Sequence, residues 1–246
     1  MKFHIFLLTA FLVIASGCNI PPKYWCNSLE LAVKCNAVQQ CRKNLPGSPA
    51  TPVNVTLYYE SYCPDCKRFI TEQAFPAWRK LSGTGVLHLS VVPYGKATET
   101  RVNTGEYAFK CQHGAAECHY NAVENCIMAR ANIDRYLPVI NCIESSQNLS
   151  MSAPICVGLA GMDWLDIERC ASGAEGNALM HAAAMLTEPL NLLSKHVPWI
   201  VLNGYDGETM QADAVEDFLE VVCDTYIGAK PKACRGKKQR NRVTFV

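Results

Sequence analysis

The sequence has almost no surplus of charge: 23 Lys and Arg stand against 22 Asp and Glu, a formal net charge of +1. Proteins that grip nucleic acid through phosphates carry a broad basic excess, so this balance sets that class aside, although Lys230 to Arg242 is locally basic. Beyond its first residues the chain has no apolar run long enough to cross a bilayer, and no later transmembrane segment is expected. It also lacks a second Cys-x-x-Cys pair to complete a four-cysteine zinc site, so no metal and no bound cofactor are expected. Charged residues are scarce at 18% while hydrophobic ones make up 49%, which excludes a chain too polar to build a core.

What is present begins with a leader. Lys2, the apolar run Ile5 to Ile14 and the small residues Ala15-Ser16-Gly17 before Cys18 read as a secretory signal peptide over residues 1–17. The sequons Asn54-Val55-Thr56 and Asn148-Leu149-Ser150 make Asn54 and Asn148 the expected glycosylation sites. In an oxidising compartment, 14 cysteines imply a disulfide framework. Four lie near the N-terminus (Cys18, Cys26, Cys35, Cys41), two are Cys63 and Cys66, and eight follow (Cys111, Cys118, Cys126, Cys142, Cys156, Cys170, Cys223, Cys234). Those eight alone allow about 105 pairings, and Cys223 with Cys234 is the one local bridge expected.

Residues 18–45 form a cysteine-dense, helix-permissive module whose Trp25-Cys26 pair, followed by Cys35 and Cys41, resembles the saposin A-type domain. Leu45 to Pro52, rich in Pro, Gly and Ser, reads as a linker into a second domain spanning 46–228. There Val53, Val55, Leu57 and Tyr59 alternate with polar residues as in a half-buried strand. After Glu60-Ser61-Tyr62, the motif Cys63-Pro64-Asp65-Cys66 opens a helix marked by Phe69, Ile70, Ala74, Phe75 and Trp78, which Pro76 should kink. Val86 to Val92 is a further strand, closing a β-α-β unit. A helical insertion is expected over about 100–195. Strand character returns at Val197 to Leu202, a turn at Asn203 to Gly207 and a short strand follow, and one amphipathic helix should run from about Ala212 to Tyr226. Residues 229–246 read as a basic tail. The pattern is α/β: a thioredoxin-like fold with a disulfide-rich helical insertion and a small N-terminal cysteine-rich helical module.

Two cysteines three apart at a helix start can close and reopen a small disulfide, because unpaired backbone N–H groups there stabilise the first sulfur as thiolate. Pro64 suits the first turn, where no N–H is needed. Cys63 is therefore the expected nucleophile and Cys66 the resolving thiol. The competing chemistry is a plain bridge or a zinc site, for which Cys111, His113, Cys118 and His119 offer ligands. Pro198, just before the strand Trp199 to Leu202, is expected to be cis and to dock substrate beside the pair.

The stretch Cys111-Gln112-His113-Gly114-Ala115-Ala116-Glu117-Cys118 through Asn121 and Glu124 to Cys126 resembles the signature of the gamma-interferon-inducible lysosomal thiol reductase family. The likeness extends from about Val53 to Cys234. It implies reduction of disulfides in protein substrates in the lumen of acidic endosomes and lysosomes, reached by the secretory pathway, with a small thiol such as cysteine as reductant. Gln112, His113, Glu117, Asn121 and Glu124 are read as scaffold rather than as a catalytic set. Two alternatives stay open: a secretory-pathway oxidase or isomerase, and a non-catalytic secreted glycoprotein whose Cys63–Cys66 bridge is static. An acidic setting adds a demand. An ordinary thiol near 8.5 is ionised in only about three of ten thousand copies at pH 5, and a value near 6 would leave about a tenth, so a depressed Cys63 is expected, helped by N–H donors or by Lys67 or Arg68.

Overall fold

The computed structural model describes residues 51–102 and 105–235, together with 18, 20–22, 25–26, 31, 34–37 and 41. The leader, most of the linker and the last eleven positions, 236–246, lie outside the described residues. The chain divides into two compact units, Met1–Pro49 and Ala50–Val246. In the first, the Cys18–Cys35 and Cys26–Cys41 disulfides cross-link a small core of buried Cys35, Ala37 and Cys41, against which Ile20 and Trp25 pack.

The second unit begins with β1 (Val53–Tyr59), α1 (Pro64–Phe69), a π-helical segment (Ile70–Ala74), α2 (Phe75–Leu81) and β2 (Leu87–Pro93). Pro76 has no N–H for the carbonyl four residues earlier, and the wider π turn just before it accommodates that loss without ending the helical run. Next come β3 (Thr98–Arg101) and β4 (Tyr107–Lys110), followed by five helices: α3 (Ala115–Arg130), α4 (Ile133–Glu144), α5 (Leu149–Leu159), α6 (Trp164–Ala171) and α7 (Ala174–Thr187). The chain returns as β5 (Trp199–Leu202) and finishes with α8 (Glu208–Glu216) and α9 (Phe218–Thr225).

The main sheet has the order β2-β1-β5, with β1 parallel to β2 (Leu57 opposite Val91) and antiparallel to β5 (Leu57 opposite Ile200). Because β1 is central, its last residues Leu57, Tyr58 and Tyr59 are buried without alternation. Leu57, Tyr59, Trp199, Ile200 and Leu202 form the middle of the core with Phe69, Ile70 and Phe218 from the helices. Each such large side chain contributes about 1.5–3 kcal/mol on burial. A β-α-β unit joined to an antiparallel strand and a closing helix is the thioredoxin-like arrangement. The insertion has its own core, with Val123, Ile127, Val139, Ile143, Val157 and Ile167 packed around Cys126, Cys156 and Cys170.

Four expectations need correction. The insertion is not purely helical, since it opens with the antiparallel β3–β4 hairpin, which stands apart from the main sheet. The short strand after the turn reduces to an isolated bridge between Leu202 and Tyr205: Asn203 and Gly204 take positive φ, and α8 starts three residues beyond Tyr205. The closing helix is two helices, because Asp217 leaves helical geometry and caps α9 by accepting from the Glu220 N–H. Finally, packed structure runs past 229, for Cys234 is buried and bonded to Cys223.

Candidate active site

β1 carries the chain into the site and the family-signature helix α3 holds it there. Just after Tyr59, the Glu60 carbonyl accepts from the Cys63 N–H at 3.3 Å and closes the turn. The Ser61 N–H donates to Asn121 Oδ1 at 3.0 Å, and Ser61 Oγ donates to the Glu117 carbonyl at 3.4 Å. Cys63 is then the N-cap of α1, in extended geometry with φ −74° and ψ 120°, and Pro64 occupies the first turn.

The two sulfurs are unbonded and differ in character. Cys63 keeps 7% of its surface and Cys66 none, so only the first sulfur can meet a substrate. The Cys66 N–H points at Cys63 Sγ from 3.4 Å. Hydrogen bonding from the Cys66 thiol, aided by the Cys66 and Asp65 N–H groups, outweighs burial and the nearby Glu60 charge and lowers Cys63 to about 7. Burial pushes Cys66 well up, and its hydrogen bond to Cys63 adds to the effect. The two cations considered for this task are committed elsewhere: Lys67 Nζ donates to the Ser146 carbonyl at 2.7 Å, and Arg68 pairs with Asp65 at 2.9 Å.

Two groups of buried carboxylates flank the pair. Glu60 accepts from the Lys96 N–H at 2.6 Å through Oε1, while Oε2 faces His113 Nδ1 at 3.5 Å. His113 also hydrogen-bonds Glu117, and burial raises Glu60 above the usual carboxylate range. Glu60, His113 and Glu117 present donor atoms within 4.8 Å of one another and are the described residues able to hold a cation; no step below depends on one. Gly95 is required here, because a Cβ would lie 2.2 Å from Glu60 Cγ and its φ is +58°. On the other side, Tyr59 Oη donates to Glu124 Oε2 at 2.5 Å. Burial lifts Glu124 to about 7 and raises Glu144, to which the nearby Glu124 charge adds.

Across from the pair, the Val197–Pro198 bond is cis and the Val197 carbonyl lies 3.8 Å from Cys63 Sγ. From there a groove of about 380 Å³ runs between α1 and α8, with Phe69, Val197, Pro198, Ala212 and Val215 among its walls. Cys111 bonds Cys118, so those sulfurs are not zinc ligands, and Cys223 bonds Cys234. Asn54 is exposed on β1, where its Oδ1 meets His88 Nδ1 at 3.0 Å, and Asn148 caps α5. Sequence reasoning did not single out Glu60, Lys96 or Glu144. A signal existed for Glu60, an acid at the buried end of an apolar strand and three residues before a reactive cysteine; Glu144 gave none.

The comparisons with known proteins come to the same region. The family model described as gamma interferon inducible lysosomal thiol reductase matches residues 54–159, and the saposin A-type domain model matches residues 15–45. The gamma-interferon-inducible lysosomal thiol reductase of Carassius auratus is 38% identical over 231 residues, covering 93% of this chain and 89% of its own. The Mus musculus protein of the same name is 35% identical over 213 residues, covering 84% of this chain and 82% of its own. Among solved structures, Chlamydia trachomatis DsbA superposes with a TM-score of 0.49 at 14% identity, covering 69% of this chain and 86% of its own.

Proposed function

The chain belongs to the gamma-interferon-inducible lysosomal thiol reductase family and is a thiol-disulfide oxidoreductase, and from that premise we propose that it reduces protein disulfides in an acidic lumen of the secretory and endocytic route through Cys63 and Cys66. The Cys63 thiolate attacks one sulfur of a substrate disulfide, forming a mixed disulfide and releasing the other sulfur, which takes up a proton. Cys66 then loses its proton and attacks Cys63, so the second substrate thiol leaves and the enzyme is left with a Cys63–Cys66 disulfide. Two molecules of a small thiol such as cysteine return the pair to the dithiol and leave as their own disulfide. Val197 and Pro198 border the groove along which the substrate chain approaches, with the Val197 carbonyl as an acceptor for its backbone.

The asymmetry of the sulfurs carries this reading: one is accessible and acidified, the other buried and held protonated. It also favours a reductase over an oxidase. A strongly oxidising pair rests on a nucleophile near 3.5, whose stabilised thiolate makes the reduced form the resting place of the electrons, whereas reducing pairs have nucleophiles near 7. Cys63 at about 7 falls in the second group. At pH 5 such a thiol is ionised in about one copy in a hundred, roughly thirty times more than an ordinary cysteine and less than a value of 6 would give.

The test is insulin reduction across pH 4 to 8 with cysteine as reductant. Cys63→Ser should fall to background, and Cys66→Ser should accumulate enzyme–substrate mixed disulfides visible on non-reducing gels. Normal turnover by Cys66→Ser without external thiol would overturn the assignment of roles.

A further inference from the structure

We propose that the groove beside Cys63 selects substrate segments that carry Lys or Arg close to the attacked cysteine; this deepens the reductase reading and rests on it. The groove is continuous with the reacting centre, because Val197 lines it and holds its carbonyl 3.8 Å from Cys63 Sγ. Its volume of about 380 Å³ lies in the range of sites that enclose a small ligand or a long side chain with its backbone.

Its walls divide by chemistry. Phe69, Val197, Pro198, Ala212 and Val215 give apolar surface suited to the methylene stem of a long side chain. Asp65 and Arg68 neutralise each other at 2.9 Å. Glu72 on the π segment and Glu208 at the start of α8 also line the groove; both are exposed and neither is ion-paired among the described residues. His196 is the remaining titratable group in the lining. Beyond the Asp65–Arg68 pair, the groove carries two carboxylates with no paired cation among the described residues. An apolar wall with carboxylates beyond it fits a Lys or Arg side chain, whose stem needs cover and whose head needs a counter-charge. A substrate carboxylate placed there would meet like charge instead.

Exposed pairs are each worth little, so two carboxylates should yield about a two- to tenfold preference.

The test uses full-length enzyme and three disulfide-linked peptides identical except for Lys, Gln or Glu two positions from the attacked cysteine. At pH 6.5 and low salt, kcat/KM should fall in the order Lys, Gln, Glu, with Lys about two- to tenfold above Gln. The spread should narrow at 1 M salt. In Glu72→Gln/Glu208→Gln the Lys-to-Glu ratio should fall towards one, a readout that does not depend on the variant's absolute activity. Equal kcat/KM for the three peptides, a spread indifferent to salt, or a ratio that survives the double substitution would overturn the proposal. The salt series needs only the unaltered protein, so it decides the matter even if the variant does not fold. Failure to reduce any of the three peptides would strike the reductase reading itself, and the two results are told apart by the Gln peptide.

Discussion

The sheet half of the main unit holds both unbonded cysteines, whereas all six cysteines of the insertion, Cys111 through Cys170, are paired. The two halves are held together differently. β1 is hydrogen-bonded on both edges and buries Leu57 and Tyr59 against Ile200, Trp199 and Leu202, so apolar packing carries the sheet, and the one bridge of this half, Cys223–Cys234, ties down its C-terminal end. The insertion's five helices are 8–16 residues long, lengths at which an isolated helix is marginal, and covalent ties supplement its smaller core. A reductase whose own scaffold depends on disulfides must keep them from its reactive thiol. The Cys126–Cys170 bridge, at 0% and 3% exposure, has that separation, whereas Cys118 and Cys142 of the other two bridges are half-buried.

The largest effect that would break the comparison comes from the insertion. The Cys126–Cys170 bridge closes a loop with a sequence separation of 44, for which chain entropy gives about 4 kcal/mol. Cys126→Ala/Cys170→Ala should lower the melting temperature by about 8–16 °C in a domain of this size. Cys63 alkylation at a temperature where the variant stays folded should be unchanged. If Cys63 reactivity were lost with the bridge, the two halves would not be separable.

A second test goes to the sheet half. The leading cause of the acidity of Cys63 is the hydrogen bond from Cys66, which a change to alanine removes. Iodoacetamide alkylation of the reduced protein should titrate near 7, and in Cys66→Ala the apparent value should rise by about one to two units, equivalent to about 1.4–2.7 kcal/mol. An unchanged value would mean that the helix start alone sets it.

The same division explains what the sequence made legible. Alternation at Val53 to Tyr59, the Cys63-Pro64-Asp65-Cys66 motif at a helix start and Pro198 before an apolar strand are local patterns with local causes, and each falls where its period or turn chemistry put it. The β3–β4 hairpin was missed because Thr98 to Arg101 and Tyr107 to Lys110 are four-residue strands with little burial, too short to display a period. The break at Asp217 was missed because the apolar spacing continues across it, while the cap depends on a single side chain. The burial of Glu144 was hidden for a different reason. It reads as a surface residue in any composition, and only contacts between β1, α3 and α4 across long separations bring it to Tyr59 and Glu124.

Those acids give the third test. Burial raises Glu124 to about 7 and raises Glu144 as well, above an unfolded value near 4.3, so the folded protein holds protons that the unfolded chain releases. Their contribution to stability is fully present below the unfolded value and is lost as pH rises through the folded ones. Thermal melts should therefore show a higher midpoint at pH 5 than at pH 8, by several degrees, and Glu144→Gln should reduce that slope by removing one of the two titrating carboxyls. A slope that is the same in the variant would place the pH dependence elsewhere, with Glu60 as the next group to examine because burial raises it too.

The smallest effect separates the two sequons, one in each half. Asn54 lies on β1 with an exposed side chain, and its replacement leaves the strand's backbone ladder intact. Asn148 has a structural task besides any glycan: its Oδ1 accepts from the Met151 N–H at 3.3 Å and from Ser150 Oγ at 2.7 Å, capping α5. Losing such a cap costs about 1 kcal/mol, and Asp serves at the position as well as Asn does. In protein made without glycans, Asn148→Ala should melt a few degrees lower, while Asn148→Asp and Asn54→Ala should melt within about 0.5 kcal/mol of the unaltered protein. In protein from a glycosylating host, Ser150→Ala keeps the Asn148 cap acceptor but destroys the sequon, so any further loss of stability or of mass in that variant belongs to the glycan. Should Asn148→Asp melt as low as Asn148→Ala without glycans, the cap is not what holds the start of α5. The insertion would then rest on the Cys142–Cys156 bridge, which joins α4 to α5 directly.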